Sequence, residues 1–129
     1  MKREGVMNGE LAKAFAELGH TDTVVIADVG LPRPRGVTVI DLAVGYGIPT
    51  FEQLLEVVSR ELVIEKATVA REMEDANHPA YEAVLRRFGK PALITHDELK
   101  IVCRDATLIL RTGEAKPFAN VVLSCGVPF

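Results

Sequence analysis

LGHTDTVVIADVGLPRP, residues 18–34, decides how the rest of the chain is read. A helix ends at Gly19, His20 stands just beyond it, and the apolar run Val24-Val25-Ile26-Ala27 is a buried strand that ends on Asp28 and a Gly-Leu-Pro-x-Pro loop. In an open α/β sheet, ligands bind beyond the carboxyl ends of the strands, which puts Asp28 where a functional acid would sit. A histidine that caps a turn and an aspartate that starts one account for the same letters, since Asp is common in turns. The residues leave both readings open.

Working outward, the preceding helix is expected from Asn8 to Leu18 with Asn8 as its N-cap. Leu11, Ala14, Phe15 and Leu18 fall at i, i+3, i+4 and i+7 and so share one buried stripe. Gly19 is expected to supply the left-handed residue that ends it. The same spacing recurs in Phe51, Leu54, Leu55 and Val58, behind a Thr50–Gln53 capping box, and in Tyr81, Val84, Leu85 and Phe88, with Pro79 in the first turn. Gly89 and Pro91 close that last helix. These stripes are core.

Between the helices lie short apolar runs, Val24–Ala27, Val37–Val44, Leu62–Val69, Pro91–Ile94, Thr107–Leu110 and Asn120–Leu123. Most are near-continuously apolar and β-branched, as in strands covered on both faces. Strands alternating with amphipathic helices indicate an α/β layered domain with a largely parallel sheet flanked by helices. The last two runs are joined by RTGEAKPFA, too short for a helical crossover, so this pair is expected to be antiparallel and the sheet mixed.

The 129 residues fit one domain, 1–129, with one core. A composition of 48% apolar, 26% charged and 5% aromatic residues is that of a globular chain rather than a disordered one. The net charge of −3 argues against nucleic acid, whose phosphates need clustered Lys and Arg. A neutral or cationic small ligand fits better. No window reaches the roughly 20 apolar residues of a membrane span and the start, MKREGVMNGE, has no signal-peptide core, so a cytoplasmic protein without a membrane partner is expected. Cys103 and Cys125 lack metal-ligand spacing and are expected as reduced, buried small hydrophobes.

Three further stretches carry polar candidates. Thr95-His96-Asp97-Glu98 is a capping box that puts His96 in a first helical turn after a strand, although a partly exposed histidine at a helix start is the simpler reading. Thr112-Gly113-Glu114 turns before Pro117-Phe118-Ala119-Asn120, and Asn120 either meets a sugar hydroxyl or merely starts a strand. Gly45-Tyr46-Gly47-Ile48-Pro49 lacks both GxGxxG and a P-loop lysine, so a nucleotide site is unsupported. His78, beside Pro79, reads as a surface residue before a helix.

GHTDT at 19–23, AD-x-GLP at 27–32, IPTF at 48–51, THDELK at 95–100, TGE at 112–114 and AN-x-x-L-x-x-GV at 119–127 follow one another along nearly the whole chain. Together they resemble the D-ribose pyranase family, and the GHTDT…AD-x-GLP block is specific. The resemblance implies a cytoplasmic isomerase that interconverts the pyranose and furanose rings of D-ribose in ribose use. It implies that His20 is the proton donor, that Asp28 and His96 contact the sugar, and that Phe118, Ala119 and Asn120 line its site. It also implies a ring-like homo-oligomer, a decamer, with sites in clefts between subunits; the apolar end Val127-Pro128-Phe129 is compatible with that.

Two departures stand out. Phe118 replaces a tyrosine common in the family, removing a hydroxyl and leaving the preferred sugar less constrained. The segment from Tyr81 to Thr95 is shorter than in some relatives. The sister fucose mutarotases share GH-x-D and TGE but lack the Gly-Leu-Pro and a histidine equivalent to His96, so the chain sides with the ribose branch.

Ring interchange needs one proton delivered to the ring oxygen and one removed from the anomeric hydroxyl, with no cofactor, metal or covalent nucleophile. A positioned acid and base give typically about 10²–10⁴-fold. His20, behind a helix C-terminus, is expected to favour imidazolium and to donate; His96, at a helix N-terminus, is expected to stay neutral and to accept or hydrogen-bond. The alternatives are a mutarotase for another aldose such as fucose and a non-catalytic sugar-binding or regulatory subunit using the same pocket.

Overall fold

The computed structural model describes residues 1–129. In chain order the elements are α1 (Gly9–Glu17), β1 (Thr23–Ala27), β2 (Thr38–Asp41), α2 (Phe51–Glu61), β3 (Ile64–Ala70), α3 (Glu72–Ala76), α4 (His78–Phe88), β4 (Ala92–Ile94), α5 (His96–Val102), β5 (Leu108–Arg111) and β6 (Val121–Cys125), with a 3-10 turn at Cys103–Asp105. The six strands form one sheet in the order β2-β5-β1-β6-β3-β4. β6 alone runs against the rest, antiparallel to both β1 and β3, while β1–β5, β2–β5 and β3–β4 pair in parallel. The architecture is the mixed, largely parallel α/β sheet that the alternation of runs implies.

β1 shows why both faces are covered. Its side chains alternate, so Val24 and Ile26 join the core under α1, α2 and α4, whereas Val25 and Ala27 join a second core with Leu99, Cys103, Ile109 and Val122 beneath α5. Phe51, Leu55 and Val58 of α2 are buried at the expected helical spacing, each such burial contributing about 1.5–3 kcal/mol. The helix starts also follow the expected chemistry. Asn8 accepts from the Leu11 N–H, and both capping boxes, Thr50–Gln53 and Thr95–Glu98, are closed. Gly89 ends α4 with φ +77°. Cys103 and Cys125 are buried free thiols.

Four local expectations are corrected. α1 stops with Leu18 in an extended conformation, and the left-handed residue is Thr21 (φ 71°), not Gly19. The cause is a tight GHTD turn, in which the Asp22 carboxylate accepts the Gly19 N–H at 2.7 Å and Thr21 N–H donates to Cys125 O at 2.9 Å. β5 and β6 do run in opposite directions but are not neighbours, because β1 lies between them. Their connection steps across the end of β1, Thr112 N–H donating to Ala27 O and Glu114 O accepting from Val29 N–H. The expected strand Val37–Val44 ends at Asp41, since the chain then folds into a turn closed by Val44 N–H to Ile48 O at 2.9 Å. His78 opens α4 rather than preceding it, exposed and beside Glu82.

Candidate active site

Strand order brings together residues remote in sequence. Asp28 leaves the carboxyl end of β1, and Asn120 enters β6, whose first residues lie against that same end because the two strands are antiparallel. Asn120 is fully buried and engages Asp28 twice: its Oδ1 accepts the Asp28 N–H at 2.8 Å and its Nδ2 donates to Asp28 Oδ2 at 2.8 Å. The other carboxylate oxygen of Asp28 accepts the Gly30 N–H at 2.9 Å. The acid is thus aimed by its own loop and by a neighbouring strand.

His96 is the first residue of α5, delivered to the same edge by β4. Its ring stands edge-on to Phe118, with centroids 5.1 Å apart and planes at 80°. Its Nδ1 is buried without a hydrogen-bond partner. An unsatisfied buried polar group costs about 1–3 kcal/mol. Phe118 sits at φ 57°, a left-handed conformation that costs a bulky side chain about 1–3 kcal/mol. The surrounding structure enforces it, with the buried Asn77 donating from Nδ2 to Pro117 O at 2.9 Å and Asn120 N–H donating to Phe118 O at 2.8 Å.

A cleft of about 310 Å³ is lined by Asp28, Gly30, Leu31, Pro32, His96 and Lys100. A second hollow of about 300 Å³ shares Asp28 and Gly30 and reaches Tyr46, Glu114 and Lys116. Ala119, by contrast, is fully buried with its methyl in the main core and offers no surface to either hollow. Asn120 reaches the cleft through Asp28.

His20 is not part of this cluster. It precedes β1, at the opposite edge of the sheet, with the five residues of β1, about 17 Å of strand, between it and Asp28. There it is exposed, with Nε2 3.2 Å from Glu65 Oε2 at the start of β3. The two histidines occupy opposite strand edges within one chain.

Four further side chains bear on these residues, and of them only Lys100 has a signal in a motif. Glu72 accepts the His96 N–H on both carboxylate oxygens, at 3.1 and 3.0 Å. Its own backbone N–H and that of His96 hold its carboxyl below the ordinary range. Lys100 shares the His96 face of α5 by i, i+4 spacing, a signal present in THDELK, and its Nζ lies 2.9 Å from Asp97 Oδ1; that hydrogen bond and charge keep Asp97 low. Asn77 caps α4 while bracing Pro117. Glu65 pairs with His20 only through the order of the strands.

A carboxylate braced by a buried amide, with an imidazole beside it on the carboxyl edge of a mixed sheet, lines a cleft whose groups can hydrogen-bond hydroxyls and exchange a proton. The chain belongs to the RbsD / FucU transport protein family, whose model matches residues 1–128. It is 51% identical to D-ribose pyranase 1 of Rubrobacter xylanophilus and 48% identical to D-ribose pyranase of Streptomyces avermitilis, each over the whole of both chains. The structure of Bacillus subtilis RbsD complexed with D-ribose matches it with a TM-score of 0.96 at 40% identity, covering 100% of both chains. The fucose mutarotase of Streptococcus pneumoniae, solved with L-fucose, has the same fold at 17% identity, with a TM-score of 0.82 over 100% of both chains.

Proposed function

We propose that this chain is a cofactor-independent isomerase that interconverts the pyranose and furanose forms of D-ribose. The observation that carries the reading is the grouping of Asp28, held by Asn120, with His96 on one cleft, Phe118 backing the imidazole, in a chain so similar to proteins named D-ribose pyranase.

In the forward direction a base takes the proton of the anomeric hydroxyl and an acid protonates the ring oxygen at C5. The C1–O bond to that oxygen breaks and C1 becomes the open-chain aldehyde. After rotation, the C4 hydroxyl adds to C1, loses its proton, and the carbonyl oxygen regains one. No atom or electron is gained. Asp28, its carboxylate fixed by Gly30 and Asn120, binds sugar hydroxyls, and the Phe118 ring packs on the apolar side of the sugar. His20 is the proton donor, and His96 accepts or hydrogen-bonds.

His20 cannot reach Asp28 within one chain, and a homo-oligomer in which the His20 edge of one subunit faces the Asp28 edge of the next accounts for both positions. We assign a ring-like decamer with sites between subunits, working in the cytoplasm. No helix is long and apolar enough to cross a membrane.

Exchange NMR on equilibrated D-ribose tests the assignment. Pyranose–furanose cross-peaks grow with the wild type and vanish with His20→Ala, while much of the ribose affinity remains. No acceleration by the wild type overturns the reading in favour of another aldose or a binding role, which a panel of sugars separates.

A further inference from the structure

We propose that Glu72 is a positioning residue for His96, an inference that rests on the pyranase reading and extends it to a residue outside the cleft. β3 and β4 are adjacent and parallel, so the segments leaving their carboxyl ends emerge side by side. Arg71 N–H donates to Ile94 O at 2.7 Å and locks the two exits together. The next residue along β3's exit is Glu72, and its carboxylate takes the His96 N–H on both oxygens.

The bond does more than end a helix. The N-terminus of α5 is already closed by its own residues, as Thr95 Oγ1 accepts the Glu98 N–H at 3.1 Å and Glu98 Oε2 accepts the Thr95 N–H at 2.9 Å. The His96 N–H is the one donor of that turn held by a different element. Glu72 therefore ties the backbone that carries the imidazole to the rigid end of β3, while Phe118 meets the ring edge-on at 5.1 Å. The backbone that carries the ring and one edge of the ring are thus both held by other elements.

The test compares Glu72→Ala and Glu72→Gln with Thr95→Ala. Thr95→Ala removes a bond from the same helix end but leaves the Glu72–His96 contact, so it controls for loss of the cap alone. Two readouts are taken. The first, without sugar, is the ring-current shift that Phe118 imposes on the His96 ring protons, and the second is kcat and KM for ribose ring exchange. Glu72→Ala is expected to move the His96 signals and lower kcat on the order of tenfold to a hundredfold, the scale of a small misplacement of a reacting group. Glu72→Gln, which keeps an acceptor, is expected to hold the signals and most of kcat, and Thr95→Ala to keep both near wild type.

If Glu72→Ala leaves the His96 signals in place, or moves them without changing exchange by an active enzyme, or if Thr95→Ala matches it in both readouts, the proposal is overturned. If Glu72→Ala does not fold, Glu72→Asp, which draws the carboxylate back by one methylene, must show the same two changes or the proposal fails. A wild type that does not accelerate ribose exchange removes the pyranase reading, and the His96 signals then decide the Glu72 tether on their own.

Discussion

Asn120 holds Asp28 by backbone and side chain at once, accepting its N–H and donating to its carboxylate, both at 2.8 Å. A truncated side chain at position 120 therefore does two kinds of damage. Asn120→Ala strands the Asp28 N–H and leaves its carboxylate held by the Gly30 N–H alone, with a stability loss of about 1–3 kcal/mol. Ring exchange falls further than stability suggests, because Asp28 is no longer aimed into the cleft. Urea unfolding and exchange NMR on one preparation check both, and full exchange activity in that variant would contradict the aiming role.

Gly113 is the position where a methyl group cannot go. An added Cβ would lie 2.1 Å from Gly45 O and 2.5 Å from Ile48 O, backbone atoms of the turn that docks on it. That docking is a pair of hydrogen bonds, Gly47 N–H to Gly113 O at 2.6 Å and Gly113 N–H to Pro49 O at 3.0 Å. Gly113→Ala is expected to cost about 3 kcal/mol, the upper end of ordinary overpacking, because backbone rather than a flexible side chain must give way. Gly45→Ala, with open space around it, should cost far less in the same denaturation series.

These two relationships mark the limit of what sequence alone makes legible. Features decided within a few residues are readable: Asn8, the Thr50–Gln53 and Thr95–Glu98 boxes and Gly89 all do what their chemistry implies. The end of α1 is not, because Thr21 takes its left-handed shape from a bond to Cys125 at the far end of the chain. Nor is the separation of β5 from β6, which depends on β1 inserting between them. Asp28, His96 and Phe118 each lie at a readable strand end. That His96 joins Asp28 on one cleft follows only from strand order, as does the approach of Glu72 to His96, whereas the placement of His20 at the other end of β1 is readable from its position before Val24–Ala27.

At the end of β2, Asp41 gathers two guanidinium groups. Arg111 Nη1 donates to both its oxygens at 3.2 and 3.1 Å, Arg33 donates to Oδ2, and the Ala43 N–H donates to Oδ1. Burial pushes the carboxyl up, but these donors outweigh it and hold Asp41 below the ordinary aspartate value. A lowered folded-state value means that the stabilisation is complete above the unfolded pKa of about 3.9 and is lost as pH falls through the folded one. Asp41→Asn should be less stable than the wild type at neutral pH and should converge with it in strong acid. Parallel denaturation curves for the two proteins across that range would sink the assignment.

The thiols behave in the opposite sense. Burial lifts Cys103 to about 11, and burial aided by the Asp22 and Glu65 carboxylates lifts Cys125. With so little thiolate and 1% and 4% exposure, neither should react with a disulfide reagent at pH 8 in the native protein, and both should react in guanidinium. Because the folded values lie above those of the unfolded chain, stability should be lost as pH rises past the ordinary thiol value of about 8.5. Rapid native labelling of either residue would show that the core beneath α5 or the end of β6 opens readily.

The separation of His20 from Asp28 makes the sharpest demand on the assembly. If each site takes its proton donor from one subunit and its carboxylate from the next, His20→Ala and Asp28→Asn are each inactive alone but complement one another. In rings reassembled from equal amounts of the two, a site is intact when its His20 comes from the Asp28→Asn chain and its Asp28 from the His20→Ala chain. Random assembly makes about a quarter of the sites whole, so exchange should return to about that fraction of the wild-type rate. A mixture that stays inactive after proven subunit exchange would mean that donor and acid must lie in one chain. His20 would then have to cross the length of β1 to reach the cleft, and a sheet buried on both faces offers no route for that.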